Sequence, residues 1–219
     1  MRLLCIADIH GRADALEKVL AIGKIQGCSK VLVAGDLCFP GPEPLRVWTL
    51  LTSERAHCVQ GVGDRALAVV DPDSLKPSTP QEVERVQLLR ATREQLGEVI
   101  LACLARLPAT FRMAVEDGGE ILLVHGSPAD PTTSMTHDMD DAELSALLGD
   151  EPADTVICGG SHVPFDRTVG TTRIINVGSV GEAPSGKIAH ATIISTSSAG
   201  VEAHPMLIPL QAPEQAPDA

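Results

Sequence analysis

The chain has 219 residues, enough for one compact domain with a sizeable core. Its 29 acidic and 17 basic side chains leave a formal net charge of −12, and it has one Trp, three Phe and no Tyr. It therefore offers neither a basic field to collect nucleic-acid phosphates nor aromatic platforms for single strands, which excludes long nucleic acids as partners. Six scattered cysteines without a CxxC pair predict free thiols in a cytoplasmic setting, and no apolar run of about 18 residues predicts a membrane span.

Along the first half, short apolar runs alternate with helical patterns, the signature of βαβ units and a partly parallel sheet. Arg2 to Ala7 predicts a buried strand. Ala13 to Gln26 predicts a helix with Leu16, Val19, Leu20 and Gly23 on one face and Gly27 as its C-cap. Lys30 to Ala34 predicts a second strand, the FPGPEP loop leads into a short helix near Leu45 to Leu51, and His57 to Gln60 predicts a third strand. A polar link from Asp71 precedes a long helical pattern from Pro80 to Leu104, read as an inserted cap at about 71–108.

Phe111 to Val115 and Glu120 to Val124 predict a hairpin across Asp117-Gly118-Gly119. Asp140 to Leu148 reads as a helix, and Thr155 to Cys158 as a strand. After these, strands alone are expected at Arg167 to Val169, Thr172 to Val177, Lys187 to Thr196 and Val201 to Leu207. The expectation is a single domain over 1–208 with a disordered tail at 209–219.

Acidic and imidazole side chains collect just after apolar strands, where open α/β sheets bind ligands. Asp8 and His10 follow the first strand, Asp36 the second, Asp64 the third, His125 the run ending at Val124, and His162 the run ending at Cys158. Carboxylate oxygen with imidazole nitrogen suits Mn, Fe, Zn or Ni. Asp64 is also read as an organiser of its loop through backbone N–H groups. Asn176 and Ser179 are read as turn formers or substrate contacts, and His57, His137, His190 and His204 as structural or surface groups.

In order, the segments DIH, GDLCFPGPEP, QGVGDRAL, LVHGSP, GGSHVPF and INVGSVG resemble the calcineurin-like metallophosphoesterase family, in particular its small bacterial phosphodiesterase branch. The resemblance implies a four-layer α/β/β/α sandwich of two mixed sheets flanked by helices, and a metal-dependent phosphoesterase using divalent ions such as manganese. It implies Asp8, His10, Asp36 and His162 as ligands of a first ion, Asp36 bridging to a second, and His125 as a ligand of that second ion. The chain departs from the family where GNHD becomes Gly61-Val62-Gly63-Asp64 and where GHTH becomes Gly159-Gly160-Ser161-His162. Val62, Gly63 and Gly160 thus replace two second-ion ligands and the leaving-group imidazole, with water, Ser161 or Asp64 as substitutes.

Asp36 and Asp64 are the expected catalytic carboxylates, and Arg12 and Arg65 the expected contacts to a small phosphorylated substrate. A homodimer is the implied assembly. The alternative expectation is a catalytically silent descendant that binds a metal, a nucleotide or a protein partner.

Overall fold

The computed structural model describes residues 1–116, 119–150 and 153–210. The first sheet combines β1 (Arg2–Ile6), β2 (Lys30–Val33), β3 (His57–Cys58), β9 (Ile188–Ser197) and β10 (Gly200–Pro209) in the order β10-β9-β1-β2-β3. The second combines β4 (Thr110–Ala114), β5 (Glu120–Val124), β6 (Thr155–Cys158), β7 (Phe165–Val169) and β8 (Thr172–Asn176) in the order β4-β5-β6-β8-β7. The helices are α1 (Ala13–Ile25), α2 (Pro44–Ser53), α3 (Val62–Val69), α4 (Pro80–Ala105) and α5 (Asp141–Leu148).

β1 is apolar without alternation because both its faces are covered. Leu3 and Cys5 pack between the sheets with Ile121, Leu123 and Ile157. Leu4 and Ile6 pack on the opposite face with Leu16, Val19 and Val47 of α1 and α2. A third core lies behind the second sheet, where Leu122, Val124 and Val156 meet Leu144 and Leu148 of α5. Three cores between four layers make the chain the expected α/β/β/α sandwich.

Several boundaries differ from the sequence pattern. The segment GVGDRALAV forms helix α3 rather than a loop, with Asp64 at its third position accepting the Gly61 N–H at 2.9 Å. Helix α4 breaks at Gly97, whose φ of 69° and ψ of 165° are not helical. Leu89, Leu96 and Leu104 of α4 are buried in the same core as α1, whereas nearly all of the segment from 71 to 88 is exposed or half-buried. At the C-terminus, Pro209 still pairs with Ile188 and the Leu210 N–H donates to the Lys187 carbonyl. Residues 211–219 of the expected tail, and Asp117-Gly118 of the expected hairpin turn, lie outside the described residues. No helix among the described residues is long and apolar enough to cross a membrane.

Candidate metal centre

β1, β2 and β3 run parallel, as do β5, β6 and β8, so both sheets end their parallel strands toward loops that meet over one edge. Backbone hydrogen bonds tie these loops together: the Asp8 N–H donates to Gly35 O, Gly159 N–H to His125 O, and Gly181 N–H to Asp8 O. Asn176 clamps two of them by donating to Gly159 O and Ser161 Oγ and accepting from the Gly178 N–H. Ser179 Oγ donates to Asp8 O at 2.8 Å. Both polar residues of the Gly-rich segment are therefore loop braces.

Asp8, His10, Asp36, His125 and His162 converge at this edge. Their donor atoms form two groups that could each hold an ion, Asp8 with His10 and His162, and Asp8 with Asp36 and His125. Asp8 is shared by both. The backbone is strained at the same residues: of the five non-glycine residues with positive φ among those described, four are Asp8, His10, Asp36 and His162. Each such conformation costs about 1 to 3 kcal/mol, and such strain concentrates where function demands a fixed geometry.

Asp8 Oδ2 accepts the Gly160 N–H at 2.8 Å, but buried Oδ1 has no hydrogen-bond partner. It faces His162 Nε2 at 3.7 Å, His125 Nδ1 at 3.9 Å and His10 Nε2 at 4.0 Å. Burial, the largest influence, raises the Asp8 pKa to about 7 despite the neighbouring imidazoles. A buried carboxylate oxygen without a donor, facing the Nε2 atoms of His10 and His162, fits a cation.

The histidines are oriented for that role. His10 Nδ1 lies 2.6 Å from Phe39 O and His125 Nδ1 lies 2.8 Å from Ala34 O. A carbonyl only accepts, so both Nδ1 atoms carry the proton and both Nε2 lone pairs are left free. The Nε2 atoms of His10 and His162 stand 3.1 Å apart. Two imidazole nitrogens this close could both serve one ion. Burial and His10 lower the His162 pKa, which favours the neutral ring that binds metal.

Across the centre, the Gly63 N–H at the start of α3 donates to Asp36 Oδ1 at 2.7 Å, while Oδ2 faces His125 Nε2 at 3.7 Å. Asp64 is fully buried, and its carboxylate accepts the backbone N–H groups of Asp36, Leu37 and Gly61. This geometry makes Asp64 a positioning residue for the Asp36 loop, with no oxygen turned to a substrate. Burial and Asp36 raise its pKa to about 6.

Among the expected substrate contacts, Arg12 is paired with Asp14 at 3.1 Å and Arg65 is exposed on α3. Neither lines the cleft beside the centre, whereas Lys76 and Arg85 do. Ser161 donates to Val163 O and accepts from Asn176. Another hydroxyl stands nearer the vacated position: a Cβ on Gly160 would meet Ser134 Oγ at 2.4 Å and His125 Nε2 at 3.5 Å. Ser134 has no sequence signal, because only the fold brings its loop to the end of β6. His190, expected to be structural, braces the site from below, accepting from the Ser179 N–H at 3.4 Å and bonding the His162 backbone.

The model of the calcineurin-like phosphoesterase superfamily domain matches residues 1–199. No curated protein matches the chain in sequence. Among solved structures, a hypothetical protein from Pyrococcus horikoshii OT3 is similar at a TM-score of 0.79 and 19% identity, covering 96% of this chain and 88% of its own. A metallophosphoesterase from Sphaerobacter thermophilus is similar at 0.76 and 23%, covering 96% and 89%. A novel archaeal phosphodiesterase is similar at 0.54 and 15%, covering 95% and 100%. At these identities the likeness establishes the shared fold.

Proposed function

The chain belongs to the calcineurin-like phosphoesterase superfamily, and we propose that it is a metal-dependent phosphoesterase whose working ion sits on Asp8, His10 and His162. The observation that carries this reading is Asp8 Oδ1, buried, unpartnered and facing three imidazoles. Asp36 and His125 offer a second, poorer place for an ion, since Val62 and Gly160 supply no donor atoms. Mn, Fe, Zn and Ni all suit the donor set.

A divalent ion bound there supplies Lewis acidity and lowers the pKa of a water ligand toward neutrality. The chain's own groups do the rest. Asp8 and the imidazoles of His10 and His162 would hold the ion, and the strained loops keep these side chains in place. Asp36, positioned by the Gly63 N–H, lies on the opposite side. Gly63 brings no imidazole to protonate a leaving group, a role worth about 10² to 10⁴ in rate. Substrates with good leaving groups, such as aryl phosphodiesters or pyrophosphate linkages, are the ones this site serves.

Purified protein supplied with Mn²⁺ is expected to hydrolyse bis(p-nitrophenyl) phosphate, and His162→Ala to lose that turnover. Activity no higher than that of the His162→Ala control would overturn the proposal. The clustering of Val62, Gly63 and Gly160 on one side favours a second reading, a silent metal-binding protein. Calorimetry showing tight Mn²⁺ binding without turnover would decide for it.

A further inference from the structure

A cleft of about 1160 Å³ runs from His10, Asp36 and His162 to Leu75, Val86 and Leu89 beneath the first half of α4. Isolated hydrophobic side chains on a surface need no explanation, but their concentration in one place does. Val62, Leu75 and Leu88 are 48%, 40% and 37% exposed, and all three face this cleft. Phe39, Ala66 and Val70 extend the same apolar wall. Val62 stands at the family's Asn position, so the change that strips a donor from the centre also adds apolar wall beside it.

The polar groups on the cleft are arranged around that wall. Lys76 and Arg85 line it, and neither is ion-paired among the described residues, although the chain carries 29 acidic side chains. The Arg85 guanidinium lies 5.9 Å from the centroid of the Phe39 ring, next to the carbonyl that orients His10. Glu82 and Glu84 also line the cleft, but the Glu82 carboxylate is taken up by the N–H groups of Ser78 and Thr79 at the start of α4. Glu182 stands at the metal end, 3.7 Å from His10 Nε2.

We propose that the cleft receives the hydrocarbon part of an amphiphilic phosphoester, with its phosphate at the metal centre and an alkyl or acyl chain lying between α3 and α4. This inference rests on the phosphoesterase reading for the placement of the phosphate. Val62, Leu75 and Leu88 would gain an apolar partner. Arg85, over the Phe39 ring, would flank the phosphate end, and Lys76 would add positive charge along the cleft against the protein's negative field.

A homologous series of p-nitrophenyl alkyl phosphodiesters, from methyl to octyl, tests this on the full chain loaded with Mn²⁺. KM is expected to fall about two- to fourfold for each added CH₂ until the cleft is filled, as expected for burial of apolar surface. In Leu75→Ser and Leu88→Ser the octyl-to-methyl ratio of kcat/KM is expected to drop at least fivefold. Calorimetry with methylphosphonate and octylphosphonate provides a readout independent of turnover. Octylphosphonate is expected to bind at least tenfold more tightly.

If no ester is hydrolysed yet octylphosphonate binds more tightly, the phosphoesterase reading fails and the cleft assignment stands. Equal binding of the two phosphonates, or kcat/KM indifferent to chain length, overturns the cleft assignment. So does adenosine monophosphate binding more tightly than octylphosphonate.

Discussion

On the His10–His162 side of the centre, two imidazole nitrogens stand 3.1 Å apart and converge on an oxygen that has no other partner. On the His125 side, one imidazole faces Asp36, and two positions that carry side-chain donors in the family are Val62 and Gly160. Both sides share Asp8 and the same sheet edge, so the difference lies in a few loop residues and not in the scaffold. The apolar cleft opens on residues of both sides, His10 and His162 on the one and Asp36, Val62 and Gly63 on the other.

The largest expected effect tests that asymmetry directly. His10→Ala removes a ligand from the intact side and is expected to lower kcat with bis(p-nitrophenyl) phosphate by about 10³ or more at saturating Mn²⁺. His125→Ala removes a ligand from the depleted side, and a loss of about 10- to 100-fold is expected. Equal losses in the two variants would show that both sides hold working ions. Metal content per chain, measured on the same preparations, is expected to fall below one in His10→Ala and to stay near one in His125→Ala.

A second measurement turns on Asp8, which both sides use. Its pKa rises from 3.8 to about 7 on folding, chiefly through burial. The folded chain therefore binds more protons than the unfolded chain between these values, and stability falls as pH rises through that window. In chelator-treated protein, Asp8→Asn removes this slope. It is expected to gain on the natural chain by about 4 kcal/mol between pH 4 and pH 8, read by urea denaturation. With excess Mn²⁺ at pH 8 the order reverses, because the carboxylate becomes a ligand. A natural chain whose stability relative to Asp8→Asn does not change with pH would remove Asp8 from its place at the centre.

Much of this geometry is legible in the sequence because buried parallel strands are continuous apolar runs, and their ends mark where ligands bind. Asp8, His10, Asp36, His125 and His162 stand out on that ground. Helix α3 is not legible, since Gly61, Val62 and Gly63 are poor helix formers and only the Asp64 cap and tertiary packing hold its first turn. The break at Gly97 hides within a helical pattern that runs through it. Arg12 and Arg65 adjoin site loops in sequence, yet Lys76 and Arg85 reach the cleft, because the link before α4 folds back over α3. Proximity along the chain is a poor guide wherever a distant segment returns to the site, and Ser134 beside Gly160 illustrates the same point.

The smallest expected effect concerns Glu182, which sharpens the intact side. His162 turns Nε2 toward Asp8 and His10, while its Nδ1 faces Glu182 Oε2 at 3.9 Å. The corresponding Nδ1 atoms of His10 and His125 are held by backbone carbonyls, and the His162 ring likewise bonds the Glu182 backbone, with the Glu182 carboxylate beside it as a further support. Carboxylates in this position fix the ring and strengthen it as a ligand, and losing one typically costs 10- to 100-fold in metal affinity. At 3.9 Å, with Glu182 44% exposed, the lower end of that range applies. Glu182→Gln is expected to weaken Mn²⁺ binding about tenfold in calorimetry. Because the ring would then hold its proton on Nδ1 less firmly, the His162 resonances are expected to show a mixed tautomer in ¹⁵N spectra of chelator-treated protein. Glu182→Asp is expected to restore part of both. An unchanged affinity and an unchanged tautomer in Glu182→Gln would mean that the Glu182 carboxylate merely borders the cleft, and that His162 is held by its bond to the Glu182 backbone and by the His190 brace.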